Sequence, residues 1–482
     1  MKLGNTDTYR QPELLIGGDP RGLDGRDAMP VVNPATGGAL CLLPLASRQD
    51  LDDALEAAQR SFTEWRRVAP VDRGRILRRA ADLMRGSVER IARLITLEVG
   101  KPIAESRQEA ALAAETLDWF AEEGRRAYGR ILPSGLGKTQ FMVVKEPVGP
   151  VAAFAPWNFP TVNAARKIGS ALAAGCPCIL KPAEEAPAAA LEVARALLEA
   201  GLPRGVLSVV FGVPAEVSEH LLASPIIRKV SFTGSIPVGQ HLMKLAAASG
   251  KRTTMELGGH APVLVFGDAD VEQALDLAVA SKYRNAGQVC VSPTRFYIHE
   301  SIHERFVQGF EQRVRTISVG DGLAESTRMG PLAHDRRRAP LESLIENALG
   351  GGGRLVSGGK AIESGGYFFE PTVLADVPES ARVMNEEPFG PLALLNAFTS
   401  TDEAIARANR LPFGLAAYAF TRSTDVVRRV SQEVEAGMLG INSFMISVPD
   451  APFLGIKESG HGAENGIEGL EACLVTKLVS VA

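Results

Sequence analysis

The chain has 482 residues, 45% of them hydrophobic and 22% charged, with a formal net charge of −4. That length exceeds a single hydrophobic core and suggests about three structural units, and the near-neutral charge gives no reason to expect nucleic acid or an anionic membrane as a partner. The N-terminal MKLGNTDTYRQPELL has no apolar core of signal-peptide length, no segment holds the ~20 unbroken apolar residues of a membrane span, and five scattered cysteines point to reduced thiols in a cytoplasmic protein.

In chain order, the first third reads as mostly helical. Ser47 with Asp50 has the form of an N-terminal cap, and Leu51, Leu55, Ala58, Phe62 and Trp65 recur behind it at helical spacing. Asp72 opens a longer amphipathic run through Ile76, Leu83, Ile91 and Leu94, and a third helix carries Leu112, Trp119 and Phe120. The segment TQFMVVKEP (Thr139–Pro147) reads as an extended strand with no partner nearby in sequence.

From Gly149 short apolar runs alternate with helices: VAAFAP, a helix near Thr161–Ala174, CILKP, and a helix near Pro187–Ala200. GVLSVVFG, a helix around Ala215–Ala223, KVSFTGS, a helix to Ala248 and TTMELGG complete the series. This alternation implies right-handed crossovers and a parallel sheet. Such sheets bind ligands at the carboxyl ends of their strands, where Asn158, Lys181, Gly234 and Glu256 all fall. Cys176 and Cys178 lie in an apolar stretch with no histidine to complete a metal site.

A second α/β stretch runs from about Ala261 to Phe453, with strand-like VLVF, RFYIH and LALLNAF. The run Arg336–Arg338 after Asp335 reads as a solvated helix face. Gly350–Gly353 reads as a surface turn, because no strand-to-helix context makes it a phosphate loop. The tail CLVTKLVSV is another strand without a local partner. A bare strand edge needs covering, so this tail and TQFMVVKEP are expected to pair together or to extend a neighbouring subunit's sheet.

Five peptides carry the chemistry: PWNFP (Pro156–Pro160), FTGS (Phe232–Ser235), MELGG (Met255–Gly259), NAGQVC (Asn285–Cys290) and EEPFGP (Glu386–Pro391). In order and spacing they resemble the aldehyde dehydrogenase superfamily, and the resemblance covers nearly the whole chain from Asn33. It implies an α/β fold with a Rossmann-type cofactor domain (1–124 and 148–257), a catalytic domain (258–465) and a small β arm for oligomerisation (125–147 and 466–482), assembled as a homodimer or homotetramer.

The same resemblance makes Cys290 the nucleophile. A thiol adds to an aldehyde carbon, and the resulting alkoxide expels hydride more readily than the aldehyde would. Asn158 and the Cys290 backbone N–H are implied as oxyanion donors. Glu256, at a strand end before two glycines, suits a general base with a raised pKa, and the family uses it to hydrolyse the thioester. Its presence argues against the branch that passes the thioester to coenzyme A. The other competing class, a non-catalytic protein that kept the fold, is disfavoured by the intact Cys290, Glu256 and Asn158.

No GxGxxG follows a strand. Gly234, Ser235 and Gly239 instead open the helix after KVSFT, where a pyrophosphate can meet a helix N-terminus. By resemblance Lys181 and Glu184 bind the adenosine ribose, Trp157 joins the cofactor site, and Glu387 and Phe389 hold the nicotinamide end. Glu184 favours NAD, with NADP as an accepted alternative, since a carboxylate repels a 2′-phosphate.

Within the superfamily the chain resembles most the succinate semialdehyde dehydrogenases and related acidic-semialdehyde dehydrogenases. The residues that carry this are Ala165–Lys167, Tyr283–Asn285 and Ile441–Ser447, which imply that Arg166, Arg284 and Ser447 bind a distal carboxylate. The alternative is that each arginine pairs with a structural carboxylate. The family's PFGG is PFLG here, and Leu454 is expected to narrow the substrate channel or shift the backbone, leaving 2-oxoglutarate semialdehyde, glutarate semialdehyde or a sulfonated aldehyde as other substrates. Lys167 and Glu464 are implied as a proton relay.

Overall fold

The computed structural model describes residues 9–482 apart from 134, 136 and 138, so the reading of residues 1–8 lies outside the described part. An eight-stranded sheet holds, in spatial order, Asp19–Arg21, Leu14–Ile16, Leu207–Val209, Cys178–Pro182, Val151–Ala155, Lys229–Gly234, Arg252–Leu257 and Gly460–His461. The five strands from Leu207–Val209 to Arg252–Leu257 are parallel, as the alternating pattern predicts. The outer strands on both sides run antiparallel.

Strand order reverses between Val151–Ala155 and Lys229–Gly234, since successive strands from Val151 are laid down first to one side and then to the other. At such a switch point the connections leave in opposite directions and open a crevice. PWNFP follows one of these two strands and Gly234–Ser235 ends the other.

The second sheet has seven strands, ordered Arg354–Ser357, Thr372–Ala375, Leu392–Phe398, Pro293–His299, Ala261–Val265, Ala416–Phe420 and Met438–Ile441. All its pairs are parallel except that of Arg354–Ser357. Only three residues, Gly258–His260, separate Arg252–Leu257 from Ala261–Val265. The carboxyl edge of the first sheet therefore leads directly into the amino edge of the second. Each sheet has its own apolar core, one running from Leu14 to Leu257 with three C-terminal residues, the other from Ala261 to Val430.

The N-terminal third is less helical than its periodicity suggests. Four short strands, Leu14–Ile16, Asp19–Arg21, Ala28–Val32 and Ala39–Pro44, precede the first helix. They carry little alternation: Leu14–Ile16 pairs with Asp19–Arg21 and Ala28–Val32 with Ala39–Pro44, and Leu15 joins the main sheet at Val209. That first helix, Arg48–Trp65, starts on the Ser47/Asp50 capping box. The run from Asp72 to Leu94 is two helices, Pro70–Arg85 and Val88–Val99. Its apolar spacing continues across the break, but Gly86 caps the first helix by bonding back to Asp82 and Met84 carbonyls, which periodicity alone does not register.

The two orphan strands find each other. Leu474–Val481 pairs antiparallel with Gln140–Pro147 over its full length, and Arg130–Leu132 covers the other edge. Gly350–Gly353 is the turn between the helix Arg338–Gly350 and the strand Arg354–Ser357. No helix among the described residues is long and apolar enough to cross a membrane.

Candidate active site

A cleft of about 1200 Å³ lies where the two sheets meet. Asn158, Lys181, Gly234 and Glu256 reach it from the carboxyl ends of the first sheet, while Cys290 and Glu387 reach it from loops that precede strands of the second. Trp157, Glu184, Ser235, Phe389, Arg166, Arg284 and Ser447 line the same cleft. All the site residues expected from the sequence are thus brought together.

The Cys290 loop is held in an unusual backbone. Asn285, Ala286 and Gly287 have φ of 47°, 53° and 71°, a left-handed run that side chains rarely adopt. At Gly287 a Cβ would stand 2.1 Å from the Gly390 carbonyl oxygen, so only glycine allows the loop to cross there. Gln288 locks the turn: its amide donates to the Asn285 carbonyl (3.0 Å) and its Oε1 accepts from the Ala333 N–H (2.9 Å). The Asn158 side chain joins the same loop by donating from Nδ2 to the Gln288 carbonyl (3.1 Å).

Cys290 is half-buried, and its thiol is pushed up, first by burial and then by the facing Glu256 carboxyl. Glu256 is buried with Oε1 unpartnered. Burial, reinforced by the charge of Glu464, raises its carboxyl to about 7. A carboxyl at that value is divided between acid and base near neutral pH, which suits proton transfer. Glu387, one of the cleft's other carboxyls, is raised to about 8, again first by burial. It packs so closely on Gly258 that a Cβ there would stand 2.5 Å from Oε2. The first glycine after Glu256 therefore makes room for Glu387.

Elsewhere in the cleft the Lys181 ammonium holds both Glu184 oxygens, at 2.6 and 2.8 Å, and Glu184 Oε1 also accepts the Gly212 N–H at 3.0 Å. The helix Ile236–Ala247 begins against the cleft through Ser235, Pro237 and Val238 and has no side-chain cap. Trp157 makes edge contacts with Phe389 and His334, ring centroids 5.7 and 4.7 Å apart.

Arg166 is buried and donates to Ser447 Oγ at 2.7 Å, with its guanidinium over the Phe453 ring at 4.5 Å. Arg284 lies over the Phe159 ring at 5.0 Å. Each has an unpartnered buried Nε, and among the described residues neither has a carboxylate within 4.0 Å. Lys167, by contrast, is ion-paired with Glu464 and donates to Thr233 Oγ1 at 2.8 Å.

Two expectations need correction. Arg336 is exposed on its helical turn, as expected, and bonds Glu185 (2.7 Å), but Arg337 is half-buried on the cleft wall and donates to the Pro388 carbonyl. They belong to a 3₁₀ turn before the helix, whose direction composition does not encode. Of the two effects expected of Leu454, the narrowing is not seen: Leu454 does not line the cleft and lies against Gly437. Sequence reasoning also missed the aromatic supports Phe159 and Phe453 and the buried Lys101 and Glu109 behind the PWNFP loop, for which nothing local gives a signal.

The model of the aldehyde dehydrogenase family matches residues 23–479. The chain is 50% identical to the 4-(hydroxymethyl)benzenesulfonate dehydrogenase TsaD1 of Comamonas testosteroni over 98% of this chain and 99% of the relative. It is 43% identical to the NADP(+) succinate-semialdehyde dehydrogenase GabD of Escherichia coli K12, over the whole of both chains. A solved succinate-semialdehyde dehydrogenase from Burkholderia pseudomallei superposes with a TM-score of 0.97 at 43% identity, also over the whole of both chains.

Proposed function

This chain belongs to the aldehyde dehydrogenase family, and from that premise we propose that it oxidises an acidic semialdehyde, succinate semialdehyde first, to the carboxylic acid through a thioester on Cys290. The observation that carries the acidic substrate is the pair of arginines beside the nucleophile, Arg166 and Arg284, left without carboxylate partners. Guanidinium groups withdrawn from water are costly unless an anion meets them. A substrate carboxylate seated between Arg166, Arg284 and Ser447 supplies that anion and leaves its aldehyde toward Cys290.

Cys290 loses its proton to Glu256, whose carboxyl near 7 accepts it at neutral pH. The sulfur bonds to the aldehyde carbon, and the carbonyl electrons move onto oxygen, where the Asn158 amide and the Cys290 N–H receive the charge. As the carbonyl re-forms, the C–H bond breaks with its electron pair and a thioester remains. Glu256 first gives up the Cys290 proton to solvent, then takes a proton from water as the water oxygen adds to the thioester carbon; the C–S bond breaks to release the acid, and Glu256 returns that proton to the sulfur to restore the thiol.

A nicotinamide dinucleotide, when bound, supplies the acceptor for that electron pair. The cleft fits one: the uncapped helix start at Ser235 is an anion site, and Glu184 is oriented by Lys181 with Oε2 free of any other donor. Lys181 and Glu184 would hold the adenosine ribose, Gly234 and Ser235 the pyrophosphate, and Trp157, Glu387 and Phe389 the nicotinamide end. Glu184 favours NAD over NADP by charge. Lys167 with Glu464, buried beside Glu256, serves as a route for its proton; unchanged pH–rate profiles in Lys167→Met and Glu464→Gln would exclude that route.

A second reading is a sulfonated aromatic aldehyde. It is favoured by the 50% relative and by the seating of both arginines on phenylalanine rings, with Val162, Val289 and Val291 also on the cleft wall. The test is cofactor reduction with succinate semialdehyde, a sulfonated benzaldehyde and an uncharged aldehyde, in wild type and Arg284→Ala. Preference for either anion that collapses in the variant supports the clamp and ranks the two readings; equal rates with all three remove it.

We further propose the division into 1–124 with 148–257, 258–465, and 125–147 with 466–482, supported by the two separate apolar cores. The three-stranded sheet leaves Ile131 and Leu478 more than half exposed, which fits an arm that meets a second copy in a homodimer or homotetramer. A stable, active monomer in light scattering would sink that reading. Five free cysteines, four of them buried, accord with a cytoplasmic location.

A further inference from the structure

A polar cluster behind the PWNFP loop has no part in the chemistry described so far. Lys101 precedes the helix Ile103–Glu123, and Glu109 lies in that helix's second turn. The two are ion-paired and fully buried. A buried pair of this kind gains little stability over apolar residues of similar volume, so its position relative to the site is the informative feature.

Both members are bonded to the same short loop. The Lys101 ammonium donates to the Asn158 backbone carbonyl at 2.9 Å and sits over the Phe159 ring at 3.7 Å. Glu109 Oε1 accepts the Thr161 N–H at 3.0 Å and the Thr161 hydroxyl at 2.8 Å. Phe159 is the N-cap of the helix Pro160–Ala174 and provides no side-chain cap, so Glu109 satisfies that helix start from outside. Asn158 is thus fixed at its own carbonyl and three residues onward by one ion pair. Its carbonyl takes a second donor, Asn285 Nδ2 at 3.2 Å, from the nucleophile loop. The side-chain amide of Asn158 then reaches the Gln288 carbonyl, two residues before Cys290.

We propose that Lys101 and Glu109 are positioning residues for the reaction, fixing the Asn158 backbone so that its amide stays beside Cys290 as the oxyanion donor. The proposal rests on the assignment of Asn158 and Cys290 above. An oxyanion donor contributes only when aimed at the place where charge develops, and a displacement of about 1 Å can cost on the order of a hundredfold.

The test compares two reactions of the Cys290 thiol in the full-length protein. Alkylation by iodoacetamide passes through no oxyanion, whereas acylation by an activated aryl ester does. In Lys101→Met/Glu109→Gln, which removes both charges together, acylation and aldehyde kcat are expected to fall about ten- to a hundredfold. Alkylation is expected to stay within about twofold, because it does not use the oxyanion donor. Acylation and alkylation falling together, or neither falling, would overturn the proposal. Asn158→Ala separates this from the underlying assignment: unchanged acylation there removes the oxyanion role itself, while slowed acylation there with no effect in the double variant removes only the positioning role. If the double variant does not fold, Lys101→Arg, which keeps the charge but changes the head group, is read by the same ratio of acylation to alkylation. A ratio equal to wild type counts against the proposal, and a lowered one supports it.

Discussion

Two groups of basic side chains line one cleft and are treated in opposite ways. Lys181 is closed on Glu184 by two bonds, with the Gly212 N–H completing the carboxylate. Arg166 and Arg284 rest on aromatic rings and a serine hydroxyl, without a carboxylate. An internally paired cation is finished when the chain folds and can only orient what binds beside it. An unpaired one holds back part of its interaction energy until an anion arrives. In the proposed function the first arrangement meets a polar, largely neutral ribose, and the second selects for charge.

That contrast can be broken most decisively on the substrate side. Arg166→Ala/Arg284→Ala is expected to lower kcat/KM for an acidic semialdehyde by about a thousandfold, the scale of losing a desolvated charge pair. Rates with an uncharged aldehyde of similar length should change less than about threefold, since uniform binding to the distal group is absent there. Equal losses on both substrates in steady-state kinetics would mean that the arginines are structural.

Next in size is the pH dependence of thioester hydrolysis. With Glu256 as the proposed base its ionised form is the active one, and burial raises its carboxyl to about 7. Hydrolysis should therefore rise with pH through about 7 and fall about tenfold per unit below it. Single-turnover measurements of acid release check this. A limb centred near the ordinary glutamate value would show that the Glu256 environment is wetter than described.

The cofactor side should respond more weakly. Glu184→Gln keeps the shape of the ribose contact and removes the repulsion of a 2′-phosphate, so KM for NADP should drop about tenfold relative to NAD. No shift in that ratio would mean that Glu184 serves only Lys181. The smallest effect sharpens the comparison through stability. Arg284→Met should leave the protein about as stable as wild type, because the half-buried cation breaks no ion pair on removal. Lys181→Met should destabilise by about 3 kcal/mol, because it strands Glu184. Denaturant midpoints read both, and an equal loss in the two would collapse the distinction.

Much of the fold was legible in the sequence. The alternation after Gly149 carries the parallel strands and their carboxyl ends, because each short apolar run there is followed by a helix with its own period. The site residues were legible as motifs, each a short peptide whose residue types suit one step of the chemistry. The four N-terminal strands were not, because no helix separates them to mark a strand–helix rhythm. Nor was the turn at Gly86, where one amphipathic face continues across two helices. Nor was the inward position of Arg337 beside the exposed Arg336, because a run of like charges says nothing about which way each side chain of its turn faces.

The residues of this chain determined by themselves which local pieces form and which side chains hold a thiol, a carboxylate or a guanidinium. Pairings across long separations were decided by tertiary structure alone: the tail strand against Gln140–Pro147, Lys101 against Asn158, and Arg166 against Ser447. Periodicity reports only on neighbours within a few residues. Whether a buried charge finds a partner depends instead on which loops the two sheets bring together, and that is fixed only when the carboxyl edge of one meets the amino edge of the other.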